Sequence, residues 1–144
     1  MDAMIGKLIE GLEDAGLREN TTIILWSDHG YFLGEHGFWC KHSTFYEAVQ
    51  IPLIISSPKF DSKEETNSFT ELVDIYPTLC ELAGITPPNY LQGKSLTPVL
   101  KNPETILKDE VYTRYKQGEA VIDKNYAYTE FVQGNKYLGN MLYD

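Results

Sequence analysis

The chain has 144 residues, enough for one domain with a buried core. Its hydrophobic fraction of 42% is that of a globular protein and argues against intrinsic disorder. It has 12 lysines and arginines against 21 aspartates and glutamates, and the net charge of -9 argues against a general nucleic-acid-binding protein, because such proteins need a basic face.

The first part of the chain predicts a helix followed by two strands. Apolar residues recur at steps of three and four, the pattern of an amphipathic helix: Met1, Met4, Ile5, Leu8, Ile9 and Leu12. Gly16 is a plausible end for this helix. The apolar run Thr21–Trp26, rich in β-branched residues, predicts a buried strand, and Ile51–Ser56 predicts a second one. A helix followed by an apolar strand is typical of a sheet covered by helices.

The middle of the chain predicts a surface loop and a helix. Residues Lys59–Asn67 are polar and charged, as in a loop. Asp74 is a suitable N-cap for a helix that runs to Ala83 and ends at Gly84. We expect its buried face to consist of Ile75, Tyr76, Leu79, Leu82 and Ala83.

The last part of the chain predicts irregular structure followed by strands. Thr86–Pro103 is rich in proline, glycine and asparagine. The tyrosine-rich segments Glu110–Tyr115 and Asn125–Val132 have strand composition, and Gly134 predicts a turn. No apolar run approaches the ~20 residues that a membrane span needs. Both ends of the sequence have the character of internal segments, so we expect a fragment of a longer chain.

One short segment contains most of the chemically reactive side chains. Ser27–Ser43 contains all three histidines of the chain, together with two carboxylates, a thiol and a lysine: Asp28, His29, Glu35, His36, Cys40, Lys41 and His42. Asp28 and His29 follow the first predicted strand directly, at the edge of an α/β sheet where ligands bind. One interpretation is therefore that this pair binds a divalent cation and that Lys41 binds an anionic group beside it.

Two other interpretations of the same segment remain open. His36, Cys40 and His42 provide the nitrogen and sulfur ligands that zinc accepts, and could belong to a non-catalytic zinc-binding or interaction module. Alternatively, the polar groups only form hydrogen bonds that stabilise an irregular loop. The two cysteines, Cys40 and Cys80, do not form a disulfide framework or a four-cysteine zinc site.

The order of motifs along the chain resembles the sulfatase family of the alkaline-phosphatase-like superfamily, in particular its iduronate-2-sulfatase branch with bacterial relatives. The matching motifs are S-D-H-G at 27–30, L-G-E-H-G-F-W-C-K at 33–41, I-P-L-I-I at 51–55, L-V-D-I-Y-P-T-L at 72–79, L-A-G at 82–84, G-K-S-L at 93–96, Y-A-Y-T-E at 126–130 and L-Y-D at 142–144. The ordered set is far more specific than any one motif.

The resemblance implies an α/β fold. Residues 1–100 are expected to form the C-terminal portion of an alkaline-phosphatase-like α/β/α sandwich with a largely parallel sheet. Residues 101–144 are expected to begin a small β-rich subdomain. The remainder of the catalytic domain would then be a partner of this chain. Family members are commonly exported or lysosomal, although this sequence does not reveal the compartment.

The resemblance also implies site roles. Asp28 and His29 would be ligands of a calcium ion, although imidazole suits zinc or manganese better. Lys41 would be catalytic and would contact the sulfate group undergoing transfer. Tyr31 and His42 would line the substrate, which is expected to be a sulfated carbohydrate or another small sulfate ester. A phosphodiester or phosphonate is the alternative, because the same layout suits phosphoryl groups.

The remaining polar and aromatic side chains of the segment are expected to have structural roles. For Glu35 and His36 we predict hydrogen bonds that shape the loop. Phe38 and Trp39 are predicted to anchor it in the core, and Cys40 to be a small buried residue.

The family's nucleophile is not found in this chain. Sulfatases of this family use a formylglycine made from cysteine or serine in a C-x-P-S-R-like motif, and neither Cys40 nor Cys80 lies in such a sequence. Two metal ligands from one short stretch would hold a cation weakly. We therefore expect these 144 residues alone to have no sulfatase activity and to bind calcium poorly.

Overall fold

The computed structural model describes residues 1–60 and 64–144. In the N-terminal part the helices and strands are α1 (Asp2–Asp14), β1 (Ile23–Trp26), β2 (Phe32–Leu33), β3 (Trp39–Cys40), α2 (Tyr46–Val49), β4 (Leu53–Ser56), α3 (Ile75–Ala83) and α4 (Thr97–Lys101). The C-terminal part contains β5 (Glu110–Tyr115), β6 (Gly118–Asp123), β7 (Ala127–Gln133) and β8 (Lys136–Tyr143). The α/β fold predicted from the sequence is confirmed, with a four-stranded sheet at the C-terminal end.

The first helix and the two predicted strands form where expected. Helix α1 ends at Asp14, and Gly16 follows with a φ of +67°, a conformation that favours glycine. Strands β1 and β4 pair in antiparallel register, so the largely parallel sheet that we predicted is wrong for this pair. Strand β1 is also less buried than predicted: Leu25 and Trp26 are exposed, because within residues 1–60 and 64–144 its hydrogen-bonded neighbour is β4 alone.

Helix α3 has the predicted bounds but a different buried face. Gly84 follows it in the left-handed conformation, as expected. Tyr76, Leu79 and Ala83 are exposed, whereas Thr78 is fully buried. The Thr78 hydroxyl donates to the Asp74 carbonyl at 2.6 Å and accepts the Leu96 N–H at 2.9 Å. The helix thus turns its polar threonine, and not these two large apolar residues, toward the segment that precedes α4. Of the predicted loop Lys59–Asn67, residues 61–63 lie outside the described residues.

The C-terminal sheet is an antiparallel meander in the order β5-β6-β7-β8. The two tyrosine-rich segments are strands, and Gly134 lies in the turn between β7 and β8, as predicted. Strand β6 was not predicted, although its alternation of exposed and buried residues is the strand pattern. Its Ala120 and Ile122 are buried together with Ala127 and Thr129 of β7.

The inner face of this sheet packs against the segment that carries the candidate site residues. The Thr44 and Thr129 hydroxyls lie 3.0 Å apart, and both residues are buried. The rings of Phe45 and Tyr143 lie 5.2 Å apart. The C-terminal sheet therefore fixes the chain just after Lys41. Across the residues that the structure describes, no helix is long and apolar enough to cross a bilayer.

Candidate active site

The turn after β1 places Asp28 and His29 at the edge of the sheet. Within the turn, the Ser27 hydroxyl donates to the His29 carbonyl at 2.7 Å. Gly30 donates its N–H to the Ala48 carbonyl at 2.9 Å, and a Cβ at this position would lie only 2.0 Å from the Glu47 carbonyl oxygen. Glycine is therefore required here, because the backbone of α2 presses directly on the turn.

The hydrogen bond of His29 fixes its tautomer. Its Nδ1 lies 2.7 Å from the Gly30 carbonyl oxygen, which can only accept, so Nδ1 carries the hydrogen. In the neutral ring Nε2 then has a free lone pair, and it faces Asp28 Oδ2 at 3.3 Å. Two acceptor atoms this close need a cation or a proton between them. The backbone carbonyl that orients the ring is also the usual outer partner of a metal-binding histidine, so the pair fits a divalent cation.

Lys41 lies beside this pair. Its Nζ is 4.0 Å from Asp28 Oδ2. The hairpin of β2 and β3 brings it there, because Phe32 pairs with Cys40 and the chain returns toward the turn after β1. Asp28, with 80% of its side chain exposed, and Lys41, with 42%, can both reach a ligand. A cation and an ammonium group placed side by side can bind the oxygens of an anionic ester and stabilise charge that develops on them.

The other two predicted substrate residues have different positions. His42 lines the same cleft of about 670 Å³ as Asp28, His29 and Lys41, and its ring lies 5.7 Å from that of Tyr115. Tyr31 is not among the described residues that line this cleft. Its hydroxyl instead donates to Cys40 Sγ at 3.7 Å, and this hydrogen bond, the Cys40 charge and burial raise the pKa of Tyr31. The structure brings His42 to the cleft and leaves Tyr31 on the hairpin.

The zinc interpretation does not agree with the side-chain contacts. His36 Nε2 lies 3.1 Å from Glu47 Oε1, and its ring stacks on Phe45 at 4.7 Å. Cys40 contacts Tyr31, and His42 contacts the ring of a C-terminal tyrosine. Within residues 1–60 and 64–144, no three histidine, cysteine or acidic side chains are grouped so that they could hold a metal. The three proposed zinc ligands therefore do not come together around one point. A cation bound by Asp28 and His29 would need further ligands.

Glu35 and His36 shape the loop as predicted. Glu35 Oε2 accepts the Leu33 N–H at 2.6 Å, and this bond is the main reason that the pKa of Glu35 is lowered. His36 adopts a positive φ of 55° between Gly34 and Gly37.

The prediction that Phe38, Trp39 and Cys40 are buried in the core is wrong. Phe38 and Trp39 are exposed, Trp39 at 66%, and Cys40 is exposed as well. The buried anchor is Phe32, at 0%, whose ring lies 5.7 Å from that of Phe38. For Trp39 the physical reason is the strand register, since Trp39 pairs with the exposed Leu33.

A buried ion cluster behind the cleft was not predicted. Lys108 Nζ lies 2.8 and 2.7 Å from the two carboxylate oxygens of Asp74 and also pairs with Glu71. The Asp74 side chain is 0% exposed. Burial acts to lower the pKa of Lys108, but the hydrogen bonds and charges of Asp74 and Glu71 outweigh it, so the pKa is raised. Lys108 carried no sequence signal, because its partners lie 34 and 37 residues away.

Asp74 holds the cluster to two further segments. Its carboxylate accepts the N–H groups of Glu71 and Lys94, each at 2.8 Å, instead of an N–H of the helix that it was predicted to cap. A Cβ on Gly93 would lie 2.0 Å from the Val73 carbonyl oxygen, which explains the glycine beside Lys94. The cluster therefore joins the start of α3 to the segment before α4 and to β5.

Comparison with known proteins identifies the family to which the chain is similar. The family model described as Sulfatase matches residues 1–85. An N-acetylglucosamine-6-O-sulfatase of Bacteroides thetaiotaomicron is 43% identical over 103 residues, which are 71% of this chain and 18% of that protein. The chain spans 18 to 27% of the length of such curated relatives.

Solved structures show the same fold. One, determined in complex with its substrate D-glucosamine-2-N,6-O-disulfate, superposes with a TM-score of 0.90 at 30% identity and covers 99% of this chain and 31% of that one. A phosphonate monoester hydrolase from Silicibacter pomeroyi also gives a TM-score of 0.90, at 25% identity, over 99% of this chain and 32% of that one.

Proposed function

Since this chain belongs to the sulfatase family, we propose that it is the C-terminal part of the catalytic unit of a sulfuric ester hydrolase. The observation that carries the proposal is the arrangement of Asp28 Oδ2, His29 Nε2 and Lys41 Nζ. The first two face each other at 3.3 Å, and the ammonium lies 4.0 Å from the carboxylate. The full-length protein of this proposal is the longer chain in which these residues join the rest of the catalytic domain.

In this proposal Lys41 acts directly on the ester. Its ammonium donates hydrogen bonds to the non-bridging oxygens of the sulfate group and stabilises the negative charge that spreads over them in the transition state. Asp28 and His29 would hold a divalent cation, proposed to be Ca²⁺, which would supply further positive charge beside those oxygens. The nucleophile, proposed to be a formylglycine, would come from the rest of the catalytic domain. Cys40 and Cys80 lie outside the motif that it needs.

We infer that the substrate is a sulfated sugar. The relative named as an N-acetylglucosamine-6-O-sulfatase and the similar structure that holds D-glucosamine-2-N,6-O-disulfate both support this class. His42, which lies next to Lys41 in the same cleft, would contact the sugar. Tyr31 would contact the sugar only from the side of the β2–β3 hairpin. The iduronate-2-sulfatase-like specificity suggested by the motifs stays a prediction, and a sulfated glucosamine is the competing candidate.

Hydrolysis of a phosphonate or phosphodiester is the second candidate. The similar phosphonate monoester hydrolase favours it, because the same cation and ammonium would suit phosphoryl oxygens. The proposed test compares kcat/KM of the full-length protein for a sulfated glucosamine and for a phosphonate monoester. We expect the sulfate ester to be the better substrate. Lys41→Ala should reduce its turnover by about 10²-fold or more.

A matched control separates this effect from a general loss of charge. Lys124 is exposed in the turn between β6 and β7, so Lys124→Ala should leave turnover unchanged. Equal activity of the two lysine variants, or a preference for the phosphonate, would count against the proposal.

A further inference from the structure

Strand β5 of the C-terminal sheet places an aromatic side chain beside the candidate cleft. Exposed residues alternate along the strand with half-buried ones, and Tyr115 is the last of the half-buried set. Its ring packs against that of His42, with 5.7 Å between the ring centroids and a tilt of 30° between the ring planes. Both residues line the cleft of Asp28 and Lys41. The sheet therefore supports a residue that is proposed to contact the sugar.

Tyr115 is held in place by the end of its hairpin. It pairs with Gly118 of β6, and the Gln117 carbonyl between them accepts the Val132 N–H of β7 at 2.9 Å. The Lys116 ammonium lies 5.3 Å from the centroid of the Tyr115 ring, within the distance at which a cation is attracted to an aromatic face. Tyr115 thus has contacts within the sheet that do not depend on His42.

His42 has no comparable support of its own. Its side chain is exposed, and within residues 1–60 and 64–144 its ring forms no hydrogen bond or ion pair with another protein group. The chain after it is fixed through Thr44 and Phe45, but these contacts do not restrict rotation of the imidazole about its side-chain bonds. The ring of Tyr115 is therefore the partner against which the imidazole is oriented.

An orientation that exists before binding improves affinity. A side chain that becomes ordered only when the ligand arrives lowers the affinity, whereas a side chain already held in place does not. Contacts to a part of the substrate that does not react are equally strong in the ground state and the transition state. Loss of the orientation of His42 should therefore raise KM and leave kcat nearly unchanged.

We propose that Tyr115 is a positioning residue, whose ring holds the imidazole of His42 in the orientation in which His42 contacts the sugar of the substrate. The inference rests on the proposed function and adds to it a role for the C-terminal sheet in recognising the part of the substrate that does not react. Lys41 contacts the ester, and the pair of rings contributes to binding of the sugar.

The test measures kcat and KM of the full-length protein for a sulfated glucosamine. Tyr115→Leu is expected to raise KM about three- to tenfold, because His42 must then be ordered by the substrate, and to change kcat by less than about twofold. Tyr115→Phe keeps the ring and should keep the KM of the unmodified protein. Tyr115 is only half-buried at the end of a strand, and if Tyr115→Leu does not fold, Tyr115→Met serves in its place.

A double-variant cycle shows whether Tyr115 acts through His42. His42→Ala should raise KM at least as much as Tyr115→Leu does. In the double variant, Tyr115→Leu should add no further increase, because the side chain that it positions is already absent. Tyr90→Leu is the matched control, since Tyr90 is 76% exposed and is not among the described residues that line the cleft. It should change neither constant.

The possible failures can be distinguished. The inference is overturned, and the proposed function stands, if Tyr115→Leu leaves KM unchanged, if it lowers kcat instead, or if His42→Ala has no effect on KM. Independent increases that multiply in the double variant also overturn it, as does an equal rise of KM in Tyr115→Phe, which would assign the effect to the hydroxyl group. No turnover of the sulfated glucosamine by the unmodified protein would overturn the proposed function, and the inference with it.

Discussion

The hydroxyl groups of Thr44 and Thr129 lie 3.0 Å apart in the interior of the protein, although 85 residues separate them in the sequence. Thr44 follows Lys41 by three positions, and Thr129 lies on β7 of the C-terminal sheet. This hydrogen bond, together with the contact of Phe45 and Tyr143, ties the segment that carries Lys41 to the sheet. The sheet is thus part of the structure that positions the site.

The first prediction concerns this pair of hydroxyl groups. Thr129→Val should lower the free energy of unfolding of the full-length protein by about 1–3 kcal/mol, because the Thr44 hydroxyl is left buried without its partner. The double variant Thr44→Val with Thr129→Val removes both polar groups and should be no less stable than Thr129→Val alone. Urea unfolding measures these values, with the exposed Thr86→Val as a control. Strictly additive losses in the two single variants and the double variant would show that the hydroxyl groups do not interact.

The second prediction concerns the buried ion cluster. Lys108→Met leaves the carboxylates of Asp74 and Glu71 without their cation, and should lower the free energy of unfolding by about 3–5 kcal/mol. Replacing the exposed Lys136 by Met should have little effect. A loss of the same small size in both variants would indicate that the cluster contributes nothing.

The same lysine predicts a pH dependence. The folded pKa of Lys108 is raised above its ordinary value of 10.5. Its contribution is therefore fully present below pH 10.5 and is lost as the pH rises through the higher folded value. Unfolding of the full-length protein and of Lys108→Met, measured from neutral to strongly alkaline pH, should give a stability difference that begins to narrow only above pH 10.5. A difference that already narrows near neutral pH would not fit a titrating lysine.

The third prediction concerns the proposed cation. Asp28→Asn should weaken calcium binding by the full-length protein at least tenfold, since even changes in the partners of metal ligands have effects of this size. Asp109→Asn, at an exposed aspartate that precedes β5, serves as the matched control. Elemental analysis and calcium titration measure the effect. Equal calcium content in both variants would show that Asp28 is not a ligand.

The fourth prediction concerns the 144 residues by themselves. This chain supplies two proposed metal ligands, Asp28 and His29, and neither of its cysteines lies in the motif of the nucleophile. We expect the isolated chain to bind calcium weakly and to leave an aryl sulfate unhydrolysed above the buffer rate. Measurable turnover by the pure chain would show that the nucleophile lies within it.

Local patterns and the family resemblance together predicted the centre of the candidate site. Asp28 and His29 follow a strand whose apolar composition is plain, whereas Lys41 follows β3, which was not predicted as a strand. The structure brings these three side chains together. The end of helix α3 at Gly84 could be predicted because a left-handed C-cap depends on neighbouring residues. Asp74 stands at the predicted start, but its carboxylate does not cap the helix.

Contacts between distant segments could not be predicted in this way. Lys108, Thr129 and Tyr115 acquire their roles from partners far away in the chain, and no local pattern marks them. The exposure of Trp39 follows from its pairing with Leu33, a register that composition does not reveal. The burial of Thr78 likewise depends on the Leu96 N–H that it binds.

The most direct test of the central claim is the turnover of a sulfated sugar by the full-length protein in which alanine replaces both Asp28 and Lys41. The account predicts a loss of about 10³-fold or more in kcat, because both groups that stabilise charge on the sulfate oxygens are removed. Turnover close to that of the unmodified protein would contradict the claim that these two residues act on the ester.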